Sequence, residues 1–187
     1  MLAVGDVAGK GTPASLAMSA CMVLLSILAD IGGELDQVMG RLHCKLYENL
    51  TAEQFITLFL GELDPETGRL TYINAGHELP LIIRPDGIME ELESCSPPVG
   101  ILPEFNCGVG VTILEPGDLL AIFSDGIPEA TLDGEDFLGI EPVKSILTEM
   151  REQPLSVISN AIGDAVEEFL KGGHASDDVT LLLLRRK

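Results

Sequence analysis

Three apolar runs in this chain adjoin acidic turns, and carboxylates in such places can gather a hard cation. Leu2-Ala3-Val4 leads into Gly5-Asp6-Val7-Ala8-Gly9-Lys10-Gly11, residues 119–123 lead into Ser124-Asp125-Gly126, and Asp177-Asp178 stands directly before the run 179–184. A buried strand gives its last residue a rigid backbone, so side chains far apart in sequence can be brought to one point. If three carboxylates met with roughly 5 Å between neighbours, each pair would repel by on the order of 3 kcal/mol at an effective dielectric near 20. A proton or a divalent metal ion would then have to be present. Taken singly, each turn also has a plainer reading: a glycine-rich strand-to-helix turn capped by Asp6, an ordinary turn at Asp125, a solvated loop at Asp177 and Asp178. Their coincidence in one chain favours the metal reading. The glycines let the backbone bend tightly beside Asp6, so that its carboxylate and a nearby main-chain carbonyl, that of Val7, can face one cation.

Other chemistries fit less well. A phosphate-binding P-loop fails on spacing, because Val4 stands where its first glycine is required and Gly11 follows Lys10 in place of Ser or Thr. His77, in Asn74-Ala75-Gly76-His77, is open to two readings, a ligand or proton donor and a hydrogen-bonded residue at a strand end. His43 and His174 have no partners in sequence. Cys21, Cys44, Cys95 and Cys107 form no Cys-x-x-Cys and lie at no zinc-site spacing, so they read as reduced core cysteines.

The elements that must position the acidic turns follow from periodicity. Thr12 as N-cap with Pro13 at the first helical position, and Gly32-Gly33 as the stop, predict a helix over 13–31. Its apolar and small residues run almost all the way round, which predicts burial on several sides. Leu35, Val38, Met39, Leu42 and Leu46 predict an amphipathic helix over 34–49 that covers the first. The middle of the chain reads as three β-hairpins: 55–63 with 69–75, 79–84 with 88–92, and 108–114 with 119–123. Helices return at 141–150 and at 155–170, the latter with Leu155, Ile158, Ile162, Val166 and Phe169 on one face, and a strand follows at 179–185. Strands flanked by helix pairs predict an α+β layered sandwich rather than alternating βαβ units.

Composition narrows the partners. With 187 residues and 46% apolar content the chain can bury one core, which predicts a single domain over 1–187. Thirty acidic against eleven basic residues give a net charge of −19, which repels nucleic acid and anionic membrane surfaces. No signal segment opens the sequence, and residues 14–31 are interrupted by Ser15, Ser19, Ser26 and Asp30, so neither membrane insertion nor export is expected and the location predicted is cytoplasmic.

The ordered set Gly5-Asp6-Val7-Ala8-Gly9-Lys10-Gly11, Phe55-Ile56-Thr57-Leu58, Asn74-Ala75-Gly76-His77, Ser124-Asp125-Gly126-Ile127-Pro128-Glu129-Ala130, Phe137-Leu138-Gly139 and Asp177-Asp178-Val179-Thr180 resembles the sporulation-stage-II-E and sigma-factor-regulator branch of the PP2C-like, metal-dependent protein phosphatases. The resemblance runs almost end to end. It implies a four-layer α-β-β-α sandwich of two antiparallel sheets and two Mn²⁺ or Mg²⁺ ions. It also implies substrates that carry phosphoserine or phosphothreonine, typically small anti-sigma-factor antagonists. Carried over by position, Asp6, Asp125 and Asp177 act catalytically through a metal-bound water; the metal ligands are Asp6, the Val7 carbonyl, Asp125, and Asp177 with Asp178 beside it. Asp177 is preferred because it lies three residues before Thr180.

Two departures stand out. Larger relatives carry a histidine two residues after the first aspartate, where this chain has Ala8, so leaving-group protonation falls to water. Family members also carry an upstream strand pair with its own metal-binding aspartate, whereas this chain opens on the second motif. A truncated domain lacking the first strands is therefore expected, one metal ion possibly being lost with them. The alternative reading is a non-catalytic binding module that keeps the phosphatase fold with an impaired metal site. A sensory or receiver domain fused upstream is a further expected partner, acting through the first two helices.

Overall fold

The computed structural model describes every residue except Ala52, Asp133, Gly172 and 174–176; His174 thus lies outside the described residues. Among the described residues the order is β1 (Leu2–Val7), α1 (Thr12–Ile31), α2 (Leu35–Tyr47), β2 (Ile56–Leu63), β3 (Arg69–Ala75), β4 (Leu81–Ile83), β5 (Met89–Glu91), β6 (Gly110–Ile113), β7 (Leu119–Phe123), α3 (Glu141–Glu149), α4 (Leu155–Phe169) and β8 (Leu181–Arg185). These elements form two compact units, residues 1–77 with 93–113 and residues 78–92 with 114–187. Each holds one antiparallel sheet and one helix pair, the α+β content expected.

In the first unit the sheet order is β1-β2-β3-β6. The predicted apolar face of α2 is confirmed: Leu35, Val38, Met39, Leu42 and Leu46 are buried in one cluster with Ile56, Leu58, Leu60 and Ile73. The strand positions alternate because period two brings every second side chain of β2 to the helix side. Each such side chain contributes about 1.5–3 kcal/mol when fully buried.

Helix α1 differs from expectation at both its start and its faces. Gly11, with φ 79°, occupies the cap position and Thr12 is already helical, so no side chain caps the helix. Only Ala14, Ala17 and Cys21 are buried, while Leu16, Met22, Val23, Ile27 and Ile31 are each more than half exposed. Burial is thus one-sided: the core cluster takes Cys21 with Met18, Leu24, Leu25 and Leu28 packed against it, and the opposite side has no such cover among the described residues. At 20 residues and a mean hydropathy of 2.0, α1 is long and apolar enough to cross a membrane by length and composition alone. Ser15, Ser19, Ser26 and Asp30 do not interrupt it. Cys44 departs too: it is exposed on α2, whereas Cys21 is buried and its thiol is pushed up to about 11 by that burial.

The second unit orders its strands β5-β4-β7-β8. All five residues of β7, which pairs with β4 and β8, are buried. Helices α3 and α4 supply Val143, Leu147, Ile158, Ile162 and Val166 to its core cluster. Leu170, not Phe169, completes that face of α4.

The third predicted hairpin does not form. β6 pairs with β3 in the first sheet, and β7 pairs with β4 and β8 in the second. Gly110 lies opposite Tyr72, so close that a Cβ there would come within 2.2 Å of the Tyr72 ring. A side chain at position 110 would therefore clash with Tyr72 in this pairing. The turn at Glu115-Pro116-Gly117-Asp118 does form, but its Gly117 N–H donates to the Arg186 carbonyl at 2.8 Å, tying it beside β8.

Candidate functional site

Asp6 lies one residue from the end of β1, directly opposite Thr57 of β2. Val7 packs its side chain on the helix-side cluster, which by strand alternation turns the Asp6 side chain to the other face of the sheet. The next peptide is fixed by Ala8, whose N–H donates to the Phe55 carbonyl at 2.9 Å. In a trans peptide the carbonyl points opposite the N–H, so the Val7 carbonyl faces away from β2, on the side where β1 has no strand neighbour among the described residues. The oxygen expected to serve a cation is therefore presented at an open sheet edge.

Behind Asp6 stands a hydrogen-bonded group. The Thr57 hydroxyl lies 3.4 Å from the Asp6 carbonyl and 3.0 Å from His77 Nδ1. The buried turn Asn74-Ala75-Gly76-His77 is held by the His77 N–H donating to Asn74 Oδ1 at 2.8 Å. The Asn74 carbonyl in turn accepts from the N–H groups of Cys95 and Ser96 at 3.0 and 3.1 Å. Gly76 has φ 67°, and a Cβ there would come within 2.6 Å of Pro98.

The second unit brings Asp125 together with the Asp177-Asp178 segment. The Ser124 hydroxyl donates to the Asp178 carbonyl at 2.8 Å and accepts from the Thr180 N–H at 3.0 Å. Ser124 N–H also donates to the Thr180 carbonyl at 3.0 Å. Gly126 closes the gap: a Cβ on it would lie 2.3 Å from the Asp178 carbonyl oxygen. Only glycine permits that approach, which is why this acidic turn needs it.

Two acids that the sequence reading did not single out adjoin this turn. The Glu78 carboxyl is held above its ordinary value, first by burial and then by the negative charges of Asp125 and Glu129. Glu129 stays near Asp125 because its N–H donates to the Asp125 carbonyl at 2.8 Å. Glu129 could have been found from its place in the motif; Glu78 lies in a different segment and leaves no spacing signal.

The acidic turn of the second unit fits a hard divalent ion. Asp125 Oδ1 is buried and has no hydrogen-bond partner among the described residues. A carboxylate oxygen in that state is costly unless a cation or a proton meets it. The neighbouring donors are all oxygens, the set that Mg²⁺ and Mn²⁺ take. Among the described residues no three or more His, Cys, Asp or Glu form a preassembled cage. Asp6 and Val7 belong to the first unit and Asp125, Asp177 and Asp178 to the second.

This architecture is shared with solved PP2C domains. The PP2C phosphatase domain with a regulatory-domain fragment of SpoIIE from Bacillus subtilis matches with a TM-score of 0.76 at 24% identity, over 98% of this chain and 53% of that one. RsbX in complex with magnesium matches with a TM-score of 0.68 at 19% identity, over 97% of this chain and 78% of that one. The fold is PP2C-like.

The family model for Stage II sporulation protein E (SpoIIE) matches residues 1–187, and the chain belongs to that family. It is similar to the phosphoserine phosphatase RsbU of Bacillus subtilis (strain 168), 30% identical over 188 residues that cover 100% of this chain and 55% of the relative. The chain thus spans about half the length of that relative.

Proposed function

We propose that this chain is a Mn²⁺- or Mg²⁺-dependent protein phosphatase domain that hydrolyses phosphoserine or phosphothreonine on a regulatory protein of the anti-sigma-factor-antagonist type. The observation that carries the reading is the buried Asp125 Oδ1, without a hydrogen-bond partner among the described residues, beside the Asp177-Asp178 segment in a chain of the SpoIIE family. The likeness to RsbU supports phosphoserine as substrate, and the likeness to RsbX in complex with magnesium supports the cation.

In the second unit Asp125 and Asp177, with Asp178 adjoining, would serve as metal ligands, and in the first unit Asp6 and the Val7 carbonyl would do so. Bound there, a divalent ion supplies charge neutralisation at the phosphoryl oxygens and an activated water. Ser124 and Gly126 hold the second-unit acids in place, and the β1–β2 ladder holds the first. Ala8 offers no proton, so the leaving serine or threonine oxygen takes one from solvent.

The test is phosphate release from a phosphorylated antagonist protein, measured with and without Mn²⁺ and again for Asp125→Asn. The expected result is release that requires Mn²⁺ and falls at least a hundredfold in the variant. Equal rates in all three conditions would reject the reading, and intact partner binding without turnover would assign the chain to the binding-module class.

A further inference from the structure

The buried turn Asn74-Ala75-Gly76-His77 has no place in the metal-binding set, yet its histidine reaches Thr57 of β2, the residue paired with Asp6 of β1. We propose that His77 is a positioning residue that fixes the Asp6–Val7 peptide through the Thr57 hydroxyl, so that cation affinity depends on two side chains that are not ligands. The inference rests on the reading of Asp6 and Val7 given above.

A donor count sets the direction of the relay. The Thr57 hydroxyl has one hydrogen and two neighbours, the Asp6 carbonyl at 3.4 Å and His77 Nδ1 at 3.0 Å. A carbonyl can only accept, so the relay requires the hydroxyl to donate to Asp6 and to accept from His77. It therefore also requires the imidazole to carry its proton on Nδ1. Directed this way, the pair adds a side-chain hydrogen bond to the Asp6 carbonyl, beside the ladder that pairs Asp6 with Thr57.

The turn is constructed to hold that ring still. His77 is 4% exposed, and its own N–H is taken by Asn74 Oδ1 at 2.8 Å. Asn74 is anchored by the 94–96 segment, through its carbonyl and through Ser94, whose hydroxyl lies 3.2 Å from that carbonyl. Gly76 allows the left-handed bend against Pro98 that brings the ring round to Thr57. A histidine that merely filled a core position would not need its backbone fixed by a side chain of its own turn and its ring met by one from β2. In metal sites generally, removing a residue that orients a ligand costs about 10–100-fold in affinity.

The experiment is calorimetric Mn²⁺ titration of the full chain and of Thr57→Val, Thr57→Ser, His77→Leu and Asp6→Asn, with urea unfolding to confirm that each is folded. Thr57→Val and His77→Leu are expected to bind Mn²⁺ about tenfold more weakly. Thr57→Ser, which keeps the hydroxyl, should return to within about threefold of the parent. Phosphatase kcat at saturating Mn²⁺ should be nearly restored in Thr57→Val, because the hydroxyl acts on affinity and not on the reacting atoms. Parent-like Mn²⁺ affinity in folded Thr57→Val overturns the inference and leaves the metal reading standing. Should His77→Leu fail to fold, the Thr57 pair decides the outcome alone. Parent and Asp6→Asn binding Mn²⁺ equally would overturn the reading of Asp6 itself, and the inference with it.

Discussion

The two units hold their acidic residues by different means. Asp6 sits within a paired strand, where the register with β2 fixes its backbone on both sides. Asp125 sits just beyond a strand, in a turn fixed by a serine bridge and by backbone packing against residues 177–178. A ladder distributes a disturbance over many hydrogen bonds, whereas a turn concentrates it on the one or two contacts that shape it. Acids carried by turns are thus more easily displaced by a single methyl group than acids carried by strands.

The sharpest way to break that contrast is a matched pair of glycine substitutions. Gly126→Ala places a Cβ 2.3 Å from the Asp178 carbonyl oxygen, a backbone atom that cannot step aside. The expected loss is about 1–3 kcal/mol of stability by urea unfolding, with Mn²⁺ affinity down more than about tenfold by calorimetry. Gly5→Ala, one residue before Asp6, meets the Thr57 carbonyl oxygen at 3.0 Å and Leu58 Cδ1 at 3.1 Å. Its cost should be about 1 kcal/mol or less, at the low end for overpacking, with Mn²⁺ affinity nearly unchanged. Equal effects of the two substitutions would remove the distinction between strand-borne and turn-borne acids.

Ser124→Ala sharpens the same comparison at smaller amplitude. It removes the hydroxyl that donates to the Asp178 carbonyl and accepts from Thr180 N–H, leaving both groups to find new partners. The expected cost is about 1–2 kcal/mol by urea unfolding, from net hydrogen-bond terms of about 1 kcal/mol each.

The smallest expected effect is a pH dependence in the first unit. His43 is buried, stacks on Phe105 at 4.3 Å between centroids, and accepts the Gly100 N–H on Nδ1 at 3.2 Å. Burial pulls its affinity for protons below the ordinary value of 6.5. The unfolded chain then binds a proton that the folded chain refuses. Stability from this group is complete above that value and declines as pH falls through it toward the lowered folded value. The urea midpoint should therefore decrease between pH 7.5 and 5.5, and His43→Asn, which does not titrate, should flatten that slope relative to the parent.

The sequence made some of this legible and not the rest. Helix α2 was readable because five apolar residues at helical spacing admit one burial face, and β2 with β3 because a short turn links two strands directly. β6 departs from the expected hairpin because a turn motif can be detected locally, whereas the sheet each flanking strand joins depends on pairing far away in sequence, here β6 with β3. α1 misled because apolar residues on all sides do not reveal which sides have neighbours. In the site, glycine beside Asp125 was a true signal of close backbone packing, whereas Gly5 and Asp6 lie within the regular strand β1 and not in the tight bend expected there. Glu78, His77's partnership with Thr57, and the ring stack of His43 are all contacts across the chain, and no local pattern announces them.

The bridge from Ser124 to Asp178 joins residues 54 apart in sequence. It also sets a timetable. Closing so long a loop is slow compared with forming local helices and hairpins, so the contact between the Asp125 turn and the Asp177-Asp178 segment forms late, after β4, β7, α3 and α4 can already have assembled.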